Sequence, residues 1–147
     1  MPAPPLYYLT GSRPVDAEEG RATQTLPTTE WLNSPLRRVQ GGAIVFVAEL
    51  AMQGAVLTTV PAGTAFAPLD IKMNFFRPVE PDGRDLEARA TIDHRGKTLA
   101  TAVCEVVNAE GKRVAAAVGT SMILPGRRAS LAEPVVAEEE ATPGAPV

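Results

Sequence analysis

Glu49 and Gln53 stand four residues apart inside an otherwise apolar run, Gly42–Val60. On a helix that spacing puts both side chains on one face. A carboxylate in an apolar interior is costly unless it is solvated, paired or protonated. Desolvation also moves a carboxyl group toward the range useful to a general base. Gln53, one turn on, would orient that acid or a water. Two readings of Glu49 stay open. It is a reacting carboxylate, or a structural one satisfied by backbone donors or by an arginine such as Arg37 across an interface. Gln40-Gly41-Gly42 opens the same run. Glycines at a helix start leave bare backbone N–H groups with no Cβ in front of them. The helix dipole adds to their pull on a carbonyl oxygen or an oxyanion. A glycine pair alone equally serves close packing or a tight turn. It gains weight from the acid seven residues after Gly42, about two turns on and so on a similar face.

Other chemistry-bearing residues are fewer. Asn33 precedes the helix in a loop and is placed either to hold a water or substrate or simply to make a turn. Arg95 and Lys97, in the His94–Lys97 hairpin loop, suit phosphates or a solvated tip equally well, and so do Arg127 and Arg128. Cys104 falls in a central strand as a small core residue. Trp31 anchors its loop by packing. One cysteine and one histidine exclude a disulfide framework and a zinc site of the Cys/His kind. No metal is expected. A histidine-based triad is implausible with His94 at a hairpin. Phosphate-loop, dinucleotide and nucleophile-elbow motifs do not occur, and the chain has no basic block that would mark a nucleic-acid partner.

The elements that must position these groups are legible in the spacing. Gly20–Pro27 alternates as a weak strand, with Ala22, Gln24 and Leu26 facing one way. Thr28–Gln40 is a loop. Gly41–Thr58 is one helix, apolar nearly all round and therefore wrapped by other structure. Four strands follow: Thr64–Phe76, Asp85–Asp93, Thr98–Val107 and Arg113–Leu124. Pro68 marks the first of them as an edge or a bulge. The odd positions Ala65 to Phe75 form its apolar face, and Val114, Ala116, Val118, Met122 and Leu124 form that of the last. Short turns between strands demand antiparallel neighbours. The predicted fold is α+β, an antiparallel sheet of about five to six strands wrapped around one long central helix.

The chain has 147 residues, 45% of them hydrophobic, and a formal charge of −3, which suits one globular domain. The charge is unevenly spread. Leu131–Val147 holds four glutamates and no base, leaving residues 1–130 with 14 bases against 13 acids. We expect one domain over 1–130 and a disordered acidic Pro/Ala/Glu tail over 131–147. The N-terminus lacks the pattern of a signal peptide. Gly42–Val60 is long and apolar, but Glu49 at its centre argues against a membrane span. A reduced, cytoplasmic setting fits the single cysteine.

With these residues in view, the chain resembles the hotdog-fold acyl-CoA thioesterases, in particular the phenylacetate-pathway type, over roughly Gly11–Leu124. The carriers are Gly20–Pro27, Asn33, Gln40-Gly41-Gly42, Glu49, Met73–Pro78, Arg95-Gly96-Lys97 and Asn108–Gly111. The resemblance implies a homodimer with a continuous sheet and interfacial active sites, often a dimer of dimers. It implies an acyl-CoA substrate and no cofactor, CoA being part of the substrate. Carried over by position, Glu49 is the helix carboxylate that activates water or attacks directly. The Gly41 N–H, with Gly42 beside it, polarises the thioester carbonyl, and Asn33 positions water. Arg95 and Lys97 meet CoA phosphates. Two places depart from the pattern. Gln40 stands where a histidine is usual; it can hydrogen-bond to substrate but cannot titrate. The Ser or Thr that supports the acid is replaced by Gln53 on the helix and Pro68 on the next strand. The alternative is a non-catalytic acyl-CoA-binding or sensing protein of the same fold. A dehydratase is disfavoured because His94 is remote from the helix start.

Overall fold

The computed structural model describes residues 4–129. The acidic tail expected over 131–147 lies outside the described residues. A short helix α1 (Pro5–Thr10) leads into β1 (Arg13–Glu18) and β2 (Arg21–Pro27). A 3-10 turn at Glu30–Leu32 follows, then the long helix α2 (Gly41–Leu57). The chain ends in β3 (Thr64–Phe75), β4 (Asp85–Arg95), β5 (Leu99–Val107) and β6 (Arg113–Arg128). All six strands form one antiparallel sheet in the order β1-β2-β4-β5-β6-β3. The sheet curls round α2, which is the hotdog arrangement. Ile44, Val47, Ala48, Ala51 and Ala55 of α2 pack against Leu26, Leu86, Ala88, Ala90, Cys104 and Val106 of the sheet in one buried cluster. Among the described residues, no helix is long and apolar enough to cross a membrane.

Small side chains set how closely helix and sheet approach. A Cβ on Gly54 would lie 2.9 Å from the Ala22 Cβ, and one on Gly119 would lie 3.3 Å from the Met52 Cε. Methyl-sized contacts of this kind bring backbones together at little entropic cost.

The structure corrects the expected faces of two strands. In β6 the inward residues are Ala115, Ala117, Gly119, Ser121 and Ile123. Of the expected set only Val114 is buried; Val118 and Met122 are 39% and 38% exposed. Over Ala115–Ser121 the inward positions are all small residues, which lets the helix sit close, and the larger Val118 and Met122 lie on the outer face. In β3 the register slips between Pro68 and Asp70, making Leu69 an extra residue opposite the Ser121–Thr120 step. A bulge inverts the facing of everything after it. Phe66 therefore packs inward on Val56 and Ala100, while beyond the bulge it is Met73 that touches the main core. Pro68 lies on an edge strand and beside a bulge, both of which its missing N–H permits.

Candidate active site

Gln40 is the N-cap of α2, with extended backbone and no side-chain cap hydrogen bond. Its own N–H is used, donating to the Leu32 carbonyl at 2.7 Å. The Gly41 and Gly42 N–H groups then fall in the first turn, where the helix supplies no acceptor. The two glycines differ in surroundings. A Cβ on Gly41 would meet the Phe75 ring at 3.2 Å, whereas one on Gly42 would meet only the Gln40 Cγ at 3.9 Å. An open concavity of about 350 Å³ lies here, bounded by Gly41, Ile44, Val39 and the Phe75–Val79 segment. Phe75 and Phe76 are 52% and 48% exposed, so Gly41 borders an aromatic-walled hollow.

Glu49 lies two turns along the same helix and is half-buried. Gln53 Nε2 donates to Glu49 Oε1 at 2.9 Å, the i, i+4 partnership expected from the spacing. That bond fixes one carboxylate oxygen and leaves the other for a second donor. Arg37, the alternative partner, is exposed with φ 55° and makes no ion pair with Glu49 within the chain. Glu49 and Gln53 border an apolar cavity of about 210 Å³ under the flank of α2. Its remaining walls are Met52 and Val56 of the helix, Pro68–Ile71 of β3, Ala102 of β5 and Gly119–Ser121 of β6.

Ser121 is the residue that sequence reasoning missed. It pairs directly with Pro68 across the β3–β6 ladder, is only 7% exposed and lines the Glu49 cavity. A hydroxyl that Pro68 cannot offer therefore reaches the same space from the adjacent strand. The only sequence signal was Thr120-Ser121 inside an otherwise apolar strand.

The other predicted residues are dispersed. Asn33 is exposed and belongs to a tight loop closed by a bridge to Val39, one residue from the Leu32 carbonyl that receives the Gln40 N–H. Arg95 and Lys97 lie at the opposite end of α2. Arg95 Nε donates to Thr59 Oγ1 at 3.1 Å, just past the helix C-terminus. Within one chain they stand roughly 25 Å of helix away from Gly41. His94 is not in the turn as expected: β4 continues to Arg95 after a register shift between Ile92 and His94. Among the described residues no group of three or more His, Cys, Asp or Glu is placed to hold a metal ion. Trp31 is not packed either; it is 95% exposed.

Residues 38–115 match the profile of the thioesterase superfamily. No curated protein matches the chain significantly. Among solved structures, the chain is similar to the PaaI protein of the phenylacetic acid degradation operon of E. coli, at 26% identity and a TM-score of 0.76. That match covers 83% of this chain and 86% of that one. A variant of the phenylacetic acid degradation protein PaaI from Thermus thermophilus is similar at 28% identity and a TM-score of 0.75, covering 82% and 100%. A phenylacetic acid degradation-related protein from Ralstonia eutropha is similar at 25% identity and a TM-score of 0.76, covering 83% and 92%.

Proposed function

The chain belongs to the thioesterase superfamily, and we propose that it hydrolyses an acyl-CoA thioester to a free acid and CoA. The observation that carries this reading is the pairing, on one helix, of uncapped N–H groups at Gly41 and a carboxylate at Glu49 held by Gln53. The thioester carbonyl oxygen accepts from the Gly41 N–H, supported by Gly42 and the helix dipole. Gln40 offers its amide beside that oxygen in place of a histidine. Glu49 takes a proton from a water as the water attacks the carbonyl carbon. Asn33 helps to place that water. The tetrahedral intermediate collapses, the C–S bond breaks and the CoA thiolate leaves, taking the proton that Glu49 had accepted.

The spacing supports a site completed by a second copy. Gly41 and Glu49 are eight residues apart, about 12 Å along a helix, whereas reacting groups must meet at about 3–3.5 Å. The Gly41 hollow borders β3 at Phe75, and the Glu49 cavity borders it at Pro68–Ile71. β3 is a free sheet edge on which Leu69, Ile71 and Phe75 are 54%, 37% and 52% exposed. Two β3 edges paired antiparallel about a twofold axis near Lys72–Met73 would set each Gly41 hollow against the partner's Glu49 cavity. The partner's Arg95 and Lys97 would then approach the Thr28–Gln40 loop, at a rim suited to CoA phosphates. Leu99, Val103, Val118 and Met122 leave the outer sheet face apolar and 38–42% exposed, which suits a dimer of dimers. The free thiol of Cys104 suits a reducing, cytoplasmic setting.

The test is release of free thiol from short, long and aromatic acyl-CoAs. Glu49→Ala and Glu49→Gln should each lose about 10²–10⁴-fold in kcat. Unchanged activity in both variants overturns the reading. Acyl-CoA binding without any thiol release favours the non-catalytic alternative, to which the non-titrating Gln40 lends support.

A further inference from the structure

The cavity beside Glu49 lies between α2 and the inward face of the sheet. Glu49, Met52, Gln53 and Val56 lie on one face of α2 and roof it. Beneath them the inward face of the sheet presents Ala102, Gly119 and Ser121. Met52 is 6% exposed and its Sδ and Cε lie over Gly119, at 3.5 and 3.3 Å from where a Cβ would be. Gly119 is thus the position whose missing side chain makes room for the thioether, and the thioether closes the space. Methionine is unbranched and fits irregular gaps, so its terminal atoms and not the backbone bound the cavity there.

We infer that this cavity receives the acyl group and that Met52, seated on Gly119, is the residue that sets its maximum length. The inference deepens the thioesterase reading, because it assigns a substrate class to the same site. An apolar cavity of roughly 150 Å³ holds benzene. About 210 Å³ therefore takes an aliphatic chain or a single ring totalling about eight heavy atoms. Long-chain acyl groups do not fit. Anionic acyl groups are disfavoured too, because the carboxyl-bearing residues Asp70 and Glu49 line the cavity. Met52→Ala removes three heavy atoms from the cavity wall, which is space for about three more carbons of substrate.

The experiment has a binding arm and a turnover arm on the full chain. The binding arm measures S-alkyl-CoA thioethers of increasing chain length by calorimetry; they contain no cleavable ester. Affinity should rise about fourfold per methylene while the chain remains in the cavity and then stop rising near eight carbons. In Met52→Ala the break should move outward by about three carbons. In Met52→Leu, which keeps the volume, it should stay in place. The turnover arm should show the same displacement in kcat/KM across acyl-CoAs. A break that does not move in folded Met52→Ala, or an affinity with no break at all, overturns the inference. A moved break with no thiol release in any protein upholds it and defeats the hydrolase reading instead.

Discussion

Mixing two inactive variants should restore activity if each site is built from two chains. The first variant is Glu49→Gln, which keeps the shape and the Gln53 contact but removes the base, a loss of about 10²–10⁴-fold. The second is Gly41→Pro. Gly41 is the first helical residue and Gln40 before it is extended, φ −61° and ψ 137°, a conformation that a following proline accepts. Proline therefore deletes the Gly41 N–H without breaking α2. Its ring must displace the Phe75 side chain, which would lie 3.2 Å from a Cβ here, by a few tenths of an ångström. Losing one oxyanion donor costs about 10²–10³-fold. Co-refolded in equal amounts, the two chains form heterodimers in about half of all dimers. Each heterodimer has one site with both Gly41 and Glu49 intact and one site with neither. The mixture should thus recover about a quarter of wild-type activity. If Gly41 and Glu49 acted within one chain, no intact site would arise and the mixture would equal the mean of its parents. That result would refute the two-chain site.

Two further outcomes follow from local environments. Cys104 is 4% exposed and burial, with the Glu105 carboxylate adding to it, pushes its thiol up to about 12. It should resist aromatic disulfide reagents at neutral pH and react only on unfolding, so thiol-release assays carry no background from the protein itself; rapid labelling of the native protein would contradict this. Gly42→Ala should raise Tm by a few degrees, since its Cβ would make only an ordinary contact with the Gln40 Cγ at 3.9 Å and replacing glycine at a compatible position gives about 0.4–1 kcal/mol; a lower melting point in a thermal scan would contradict it.

The elements that the sequence revealed are those with internal periodicity. α2 begins at Gly41 as expected and ends at Leu57, one residue early. The four strands after it, and the bulge or edge at Pro68, follow from alternation and turn residues. β1 escaped because all six of its residues are exposed. An outer strand with no buried face has no hydrophobic alternation to read. α1 escaped for a similar reason, being six residues long with none buried. Trp31 is exposed and not packed as expected, because apolarity alone does not require burial and apolar side chains often remain on the surface of a single chain.

The mutual placement of the candidate site groups was legible in the sequence. Gly41, Glu49 and Gln53 are related by helical rise and turn, so their mutual placement follows once the segment is a helix. What surrounds them was decided only by tertiary packing. Which face of β6 turns inward depends on how near the helix approaches. Alternation alone gives two faces and does not say which one is crowded. The pairing of Ser121 with Pro68 depends on a one-residue bulge at Leu69, and the Met52–Gly119 contact joins a helix to a strand 67 residues later. Chain periodicity carries no information across such separations; steric fit between elements supplies it.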